Sequence, residues 1–234
     1  MPRANGRPLD QLREVRIITG VQKDPWGSVQ IAFEDTVVLV AATVAEQVPP
    51  WLKGKGRGWI TAEYSMLPGS TPGRQGRVQK GRSEEIQRLV GRSLRAMVDL
   101  TALGERLITV DCDVIQADAG TRCAAITGGC VAVELAIARL LKEGLLTASP
   151  VRRRVCAVSC TVTDGVPMLD PDYSEDHRAD VDANFVFCDD GRLVEIQGTA
   201  EGEPFDTPTL EALLRLARQG ADTLFQIQKN TIGR

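Results

Sequence analysis

The sequence predicts an α+β fold built as two strand-then-helix halves of one domain, and three observations carry that prediction. β-Branched runs bounded by turn residues open each half, helical periodicity follows them, and no linker is long enough to separate independent domains. A chain of 234 residues, 43% hydrophobic and 25% charged, can bury one sizeable core. The halves span about residues 1–150 and 151–234 of a single domain over 1–234.

In chain order, Val15–Thr19, Gly27–Phe33 and Thr36–Ala45 are β-branched runs, with Pro25-Trp26-Gly27 and Glu34-Asp35 supplying turns, and read as antiparallel strands. A Gly/Lys/Arg-rich loop at 53–58 and a Pro/Gly/Ser-rich loop at 68–81 flank a short strand within 59–67. Over 83–98 the period becomes helical. Ile86, Leu89, Val90, Leu94, Met97 and Val98 share one side, and Arg88, Arg92 and Arg95 lie almost opposite. That arginine stripe is either a solvated, salt-bridged face or a contact for RNA or a neighbouring subunit.

Residues 107–114 alternate as a strand, and 126–142 are apolar nearly all round, the mark of a buried helix. The second half brings strands at 155–163, 183–187 and 193–197. A closing helix has Pro208 in its first turn and Leu210, Leu213, Leu214, Ala217, Ala221, Leu224 and Phe225 on its apolar face.

Composition narrows the class. No apolar run approaches the ~20 residues that span a bilayer, and the opening Met-Pro-Arg-Ala-Asn-Gly-Arg lacks the apolar middle of a secretory signal. The expectation is a cytoplasmic protein with no membrane partner. Six cysteines without a Cys-x-x-Cys pair read as small buried hydrophobes in a reducing compartment. The net charge of −3 conceals a segregation: residues 51–106 hold eleven Lys or Arg against five acids, and 164–211 hold fourteen acids against Arg178 and Arg192. Either a polyanionic ligand meets the first region and a metal or proton function occupies the second, or these are two unrelated solvated faces.

Asp170 to Asp182 holds six carboxylates in thirteen residues and leads into the apolar Phe185-Val186-Phe187. Crowded carboxylates repel unless a cation or proton is shared, so this is a candidate metal site. Asp170 and Asp172 are assigned to capping or solvating the turn around Pro171. An EF-hand is excluded, because Glu175 falls where glycine is needed and Val181 where the bidentate acid belongs. Asp180 lies two residues from Asp182, which in extended chain turns both to one face, making Asp180 a further carboxylate on the metal side. At 116–123 the order Gln-Ala-Asp-Ala-Gly-Thr-Arg-Cys precedes a helix. It is either an anion pocket of free N–H groups, a hydroxyl and a guanidinium, or a plain Thr121 N-cap with Arg122 on the surface.

Seven ordered blocks resemble the ribonuclease PH family of phosphate-dependent 3′→5′ exoribonucleases nearly end to end. They are Arg3 with Gly6-Arg7-x-x-Asp10-Gln11-Leu12-Arg13; Gly58-Trp59-Ile60-Thr61-Ala62-Glu63-Tyr64-x-Met66-Leu67-Pro68; and Gly81-Arg82-x-x-Glu85-Ile86-Gln87-Arg88-Leu89. Gly91-Arg92-Ser93-Leu94-Arg95, Asp111-Cys112-Asp113-Val114-x-Gln116-Ala117-Asp118, Tyr173-x-Glu175-Asp176 and Gln197-Gly198-Thr199-Ala200-Glu201 complete the series.

The resemblance implies an RNase PH-like (ribosomal protein S5 domain 2-like), βαβ-rich fold with a two-half pseudo-repeat, assembled as a homo-hexameric ring, a trimer of dimers. It implies phosphorolytic trimming of the 3′ ends of tRNA precursors and of other structured RNA such as rRNA, releasing nucleoside 5′-diphosphates, with a reverse reaction that adds nucleotides from diphosphates. Inorganic phosphate is then the co-substrate and Mg²⁺ or Mn²⁺ the metal. Arg82, Gly120, Thr121 and Arg122 become the phosphate site, Asp176 and Asp182 the catalytic and metal carboxylates with Asp180 beside them, and Arg74, Arg77, Lys80, Arg88, Arg92 and Arg95 the RNA contacts. His177 is a bystander, since phosphate arriving as the dianion needs no base. Ala119, Cys123, Ala183 and Pro171 depart from the family pattern without removing a proposed group, and the loop from Arg74 to Arg82 is shorter and less basic than the family form. A non-catalytic ring subunit and a hydrolytic metallonuclease are the competing readings.

Overall fold

The turn-bounded β-branched runs become strands as expected, and the computed structural model describes residues 3, 6–77 and 81–233. Among these, β1 (Val15–Thr19), β2 (Gly27–Phe33), β3 (Thr36–Ala45), β4 (Trp59–Met66) and β5 (Leu107–Gln116) form one sheet in the order β1-β2-β3-β5-β4. Only β4 and β5 pair in parallel, and the helix α1 (Arg82–Met97) connects them, as parallel neighbours require a crossover. The second sheet, β7-β6-β8-β9, is antiparallel throughout, with β6 at Val155–Thr163, β7 at Val166–Leu169, β8 at Val181–Cys188 and β9 at Leu193–Ala200. Each half ends on a long helix, α2 (Thr121–Lys142) and α4 (Thr207–Ile232).

α2 lies between the sheets, touching β2 and β3 on one side and β6 on the other, so nearly all of its faces are buried. Small residues make that possible: a Cβ on Gly128 would come within 2.8 Å of the Ile31 side chain. Against the expectation that no apolar run reaches membrane-spanning length, this helix is long and apolar enough to cross a membrane, because its small residues keep the first turns apolar; here it is mostly buried within the protein. One contiguous apolar core runs from Leu12 to Leu224 through both sheets, and all six cysteines sit buried and unpaired within it.

The differences from the sequence expectation lie at helix starts, in short elements and at strand ends, where β5 runs on to Gln116, β8 spans Val181–Cys188 rather than 183–187 and β9 runs on to Ala200. α2 begins at Thr121 rather than 126, because its first turn is made of small residues with no apolar period. The strand β7 and the one-turn helix α3 (Tyr173–Asp176) went unanticipated, being too short for periodicity to register. Thr121 is not an N-cap. Gly120 caps α2 with φ 67°, and Thr121 is the first helical residue.

Candidate active site

The turn before α2 passes through two consecutive left-handed residues, Ala119 (φ 58°) and Gly120 (φ 67°). Glycine reaches that region freely and alanine does so at a cost, so the departure at Ala119 from the family glycine is a strained one. The bend sets the start of α2 against a cavity of about 280 Å³ lined by Arg82, Gly120, Thr121, Arg122, Ser159, Asp176, His177, Ala179, Asp182, Asn184 and Glu201. Free N–H groups at a helix start favour an anion. The Thr121 hydroxyl accepts a hydrogen bond from the buried Tyr64 phenol at 2.8 Å, which leaves its own proton available to the cavity. Burial pushes the Tyr64 phenol up, so it stays protonated and able to donate.

Arg122 is held in place by a cross-strand row. Ser159, Asn184 and Gln197 stand opposite one another on β6, β8 and β9, and Arg122 Nη1 donates to Gln197 Oε1 at 2.9 Å. Gln197 Nε2 in turn reaches Glu85 Oε1 of α1 at 3.4 Å. Arg82, the first residue of α1, brings a second guanidinium to the same cavity from the first half. Arginine pairs suit a phosphate because the planar fork matches its oxygens.

Facing them are Asp176, the last residue of α3, and Asp182 near the start of β8. α3 exists because Asp172 and Glu175 form a reciprocal capping box, each side chain accepting from the other's backbone N–H. Burial, with Asp182 adding repulsion, pushes the Asp176 carboxyl above the usual carboxylate range against the pull of Arg82 and Arg122. Burial likewise pushes Asp182 up, against the pull of Arg122 and Arg82. Two raised acids side by side want a shared proton or cation.

The structure does not bring Asp180 to this pair: it is exposed and stands outside the cavity lining. Among the described residues no three His, Cys, Asp or Glu come close enough to cage a metal. Two carboxylates do fit magnesium, which usually keeps most of its waters. Asp170 corrects the sequence reading outright. It is no solvated turn residue but is 3% exposed and ion-paired to Arg13 Nη2 at 2.7 Å. His177 is exposed, stacks on Tyr173 with ring centroids 5.2 Å apart, and lines the cavity at its edge.

A second cavity of about 500 Å³ shares Arg82, Gly120, Thr121 and Asp176 with the first and extends along Tyr64, Met66, Thr71, Gln75 and Tyr173. Arg74 and Arg77 are exposed on the loop that walls it, and Lys80 lies outside the described residues. Arg88, Arg92 and Arg95 line a separate groove with Thr61, Ala62, Gln87 and Gly91. Arg95 is committed within the fold, its guanidinium 4.4 Å over the Trp59 ring and donating to Ile60 O at 2.9 Å. Arg92 pairs with Glu195.

Ser159, Asn184 and Glu201 line the site and were not singled out from the sequence. Asn184 follows Asp182 by two on a strand and so shares its face, a signal the alternation carried. Glu201 closes the last of the seven blocks, whereas Ser159 in the middle of β6 carried no signal.

Comparison with known proteins agrees with the geometry. Residues 11–141 match the model of the 3′ exoribonuclease family, domain 1, and residues 153–220 that of domain 2. Ribonuclease PH of Caulobacter vibrioides is 53% identical over 236 residues, covering 99% of both chains. Ribonuclease PH of Syntrophomonas wolfei is 51% identical over 239 residues, covering 100% of both. Rice Rrp46 superposes with a TM-score of 0.81 at 19% identity over 98% of this chain and 100% of that one. The Archaeoglobus fulgidus exosome with RNA bound to the active site gives 0.81 at 23% identity over 96% and 91%. These last two share the fold.

Proposed function

The chain belongs to the 3′ exoribonuclease family of ribonuclease PH, and on that premise we propose that it shortens RNA from the 3′ end by phosphorolysis. The observation that carries the reading is one cavity with an anion site on one wall and two protonation-prone carboxylates on the other. Phosphate held by Arg82, Arg122, the Thr121 hydroxyl and the N–H groups of α2 loses its repulsion toward a polyanionic RNA and stands oriented for in-line attack. Gly120 lets backbone approach it closely.

A phosphate oxygen forms a bond to the phosphorus of the last phosphodiester, and the bond from that phosphorus to the ribose 3′-oxygen breaks. The 3′-oxygen takes a proton, the terminal nucleotide leaves as a nucleoside 5′-diphosphate, and the RNA is one nucleotide shorter. Asp176, its carboxyl pushed up by burial, lies on the wall that serves the departing oxygen, where it is assigned general-acid help when it is not a metal ligand. Asp182, with Asp176, would hold Mg²⁺ or Mn²⁺. Such an ion, when bound, neutralises charge gathered on the phosphoryl oxygens. No covalent enzyme intermediate is needed, and the reverse reaction extends RNA from diphosphates.

The same reading takes tRNA precursors as the main substrate and rRNA as a further one, places the protein in the cytoplasm, and treats it as one domain working in a hexameric ring. Arg74, Arg77, Lys80, Arg88 and Arg92 are the RNA-backbone contacts of this reading, Arg95 being set aside as engaged with Trp59 and Ile60. The test is to incubate the protein with a 3′-tailed RNA and Mg²⁺, with and without phosphate, and to identify the released nucleotide. Phosphate-dependent release of diphosphates is expected. Equal shortening without phosphate and release of monophosphates would mean hydrolysis, and no shortening would mean a non-catalytic subunit.

A further inference from the structure

The two walls of the cavity come from distant parts of the chain, and one buried side chain is fastened to both. Arg13, in the segment before β1, has no side-chain exposure. Its Nε and Nη2 hold Asp170 Oδ2 and Oδ1 at 3.1 and 2.7 Å, and its backbone N–H donates to Asp170 Oδ2 at 2.8 Å. Its remaining nitrogen, Nη1, donates to the Asp118 carbonyl and lies 3.4 Å from Thr36 Oγ1.

Thr36 continues the tie into the anion-binding turn. It accepts from the Asp118 N–H at 3.0 Å and donates to the Ala119 carbonyl at 2.6 Å. Asp118 then reaches back across, its Oδ1 accepting from the Tyr173 N–H at the first residue of α3 at 3.0 Å. The guanidinium also presses on Gly120, where a Cβ would lie 2.9 Å from Nη2, so the left-handed glycine is needed for space as well as for its φ.

Backbone strain marks the same points. Among the described residues, four without glycine's freedom have positive φ; Ala119 at 58° and Asp170 at 49° are two of them, and both stand on this network. Strained residues persist only where surrounding structure over-determines them, and they cluster at functional sites. Arg13 is hydrogen-bonded both to Asp170 itself and to the Asp118 carbonyl next to Ala119.

We infer that Arg13 is a positioning residue for phosphorolysis, its buried guanidinium locking the Asp118–Arg122 turn that receives phosphate to the Asp170–Asp176 segment that carries the facing carboxylate. This rests on the function proposed above. Arg13 touches neither phosphate nor RNA; it fixes the separation between the wall that holds the nucleophile and the wall that serves the leaving oxygen. A misplacement of about 1 Å at such a site can cost on the order of a hundredfold in rate.

The experiment compares wild type, Arg13→Lys and Thr36→Val in the full chain, with phosphate varied at saturating RNA and thermal melting followed alongside. Lysine keeps the charge but cannot hold both Asp170 oxygens and the Asp118 carbonyl at once, so kcat should fall about tenfold or more and the phosphate KM should rise. Thr36→Val releases only the turn, so the phosphate KM should rise several-fold with kcat nearly kept. A purely structural role lowers the melting temperature and the active fraction but leaves the phosphate KM of the surviving enzyme untouched. An unchanged phosphate KM in both variants therefore overturns the inference, and should Arg13→Lys fail to fold, Thr36→Val decides alone. Wild type that works without phosphate overturns the underlying reading instead.

Discussion

Within the thirteen residues from Asp170 to Asp182, two groups of carboxylates are treated in opposite ways. Asp170 and Glu175 are buried and neutralised by arginines brought from the N-terminal segment. Arg13 grips Asp170, Arg3 Nε lies 3.0 Å from Glu175 Oε1, and Arg7 donates to the Asp170 carbonyl at 2.7 Å while standing 3.7 and 3.8 Å from the two carboxylates. Asp176 and Asp182 line the cavity together with Arg82 and Arg122, and burial pushes both carboxyls up against the pull of those two arginines. An acid satisfied by the fold is scaffold, and an acid left wanting a proton or cation is chemistry. The difference lies in what the rest of the chain delivers to each.

The largest test breaks the scaffold group. Asp170→Ala leaves the Arg13 charge buried without its carboxylate, and an orphaned buried charge costs about 3–5 kcal/mol. Urea unfolding should show a loss of that size; a loss under ~1 kcal/mol, the size of a surface pair, would remove the contrast.

Asp182→Asn should do the reverse. Turnover should fall by about 10²–10³-fold, ~3–4 kcal/mol of barrier, while RNA binding persists and the metal-free protein becomes more stable than wild type at neutral pH. Initial rates together with melting curves check both halves, and wild-type turnover would refute the role.

The pH dependence of that stability gain is a smaller effect with a definite sign. Burial raises the folded-state pKa of Asp182 above its ordinary value, so between the two values the folded protein binds more protons than the unfolded chain. Wild-type stability from this group is therefore greatest in acid and declines as pH rises from about the ordinary carboxylate value through the raised one. The melting-temperature advantage of Asp182→Asn should accordingly be absent in acid, grow toward neutral pH, and shrink again when Mg²⁺ is added. An advantage constant with pH would mean that burial of the Asp182 charge is not what the substitution relieves.

The sequence showed much of this plainly and some of it not at all, and the dividing line is range. β1, β2 and β3 were legible to the residue because alternation and turn chemistry are local. Asp176 and Arg82 were legible through the family blocks, Arg122 through the Gly-Thr-Arg turn ahead of a helix and Asp182 through the acidic cluster, and the structure places all four on one cavity. Asp170 was misread because its partner Arg13 lies 157 positions away, and no local pattern announces a pairing at that distance. Asp180 was misplaced by an alternation argument carried one step past the strand, since β8 starts at Val181. α3 was missed because a one-turn helix held by a capping box has no apolar period to read.

The arginine stripe of α1 repeats the same contrast on the basic side and gives the smallest effect. Arg95 lies over Trp59 and bonds the Ile60 carbonyl, whereas Arg88 is exposed at the rim of the groove they share. Arg95→Ala should therefore cost stability, about 1 kcal/mol for a partly desolvated cation over an aromatic ring, and leave the salt dependence of RNA binding alone. Arg88→Ala should leave the melting temperature alone, and if it meets an RNA phosphate it should lower the slope of log affinity against log salt by about one. Titrating a 3′-tailed RNA at several salt concentrations separates the two. A slope change in Arg95→Ala and none in Arg88→Ala would invert the assignment, making the ring contact incidental and the buried-looking arginine the one that meets the nucleic acid.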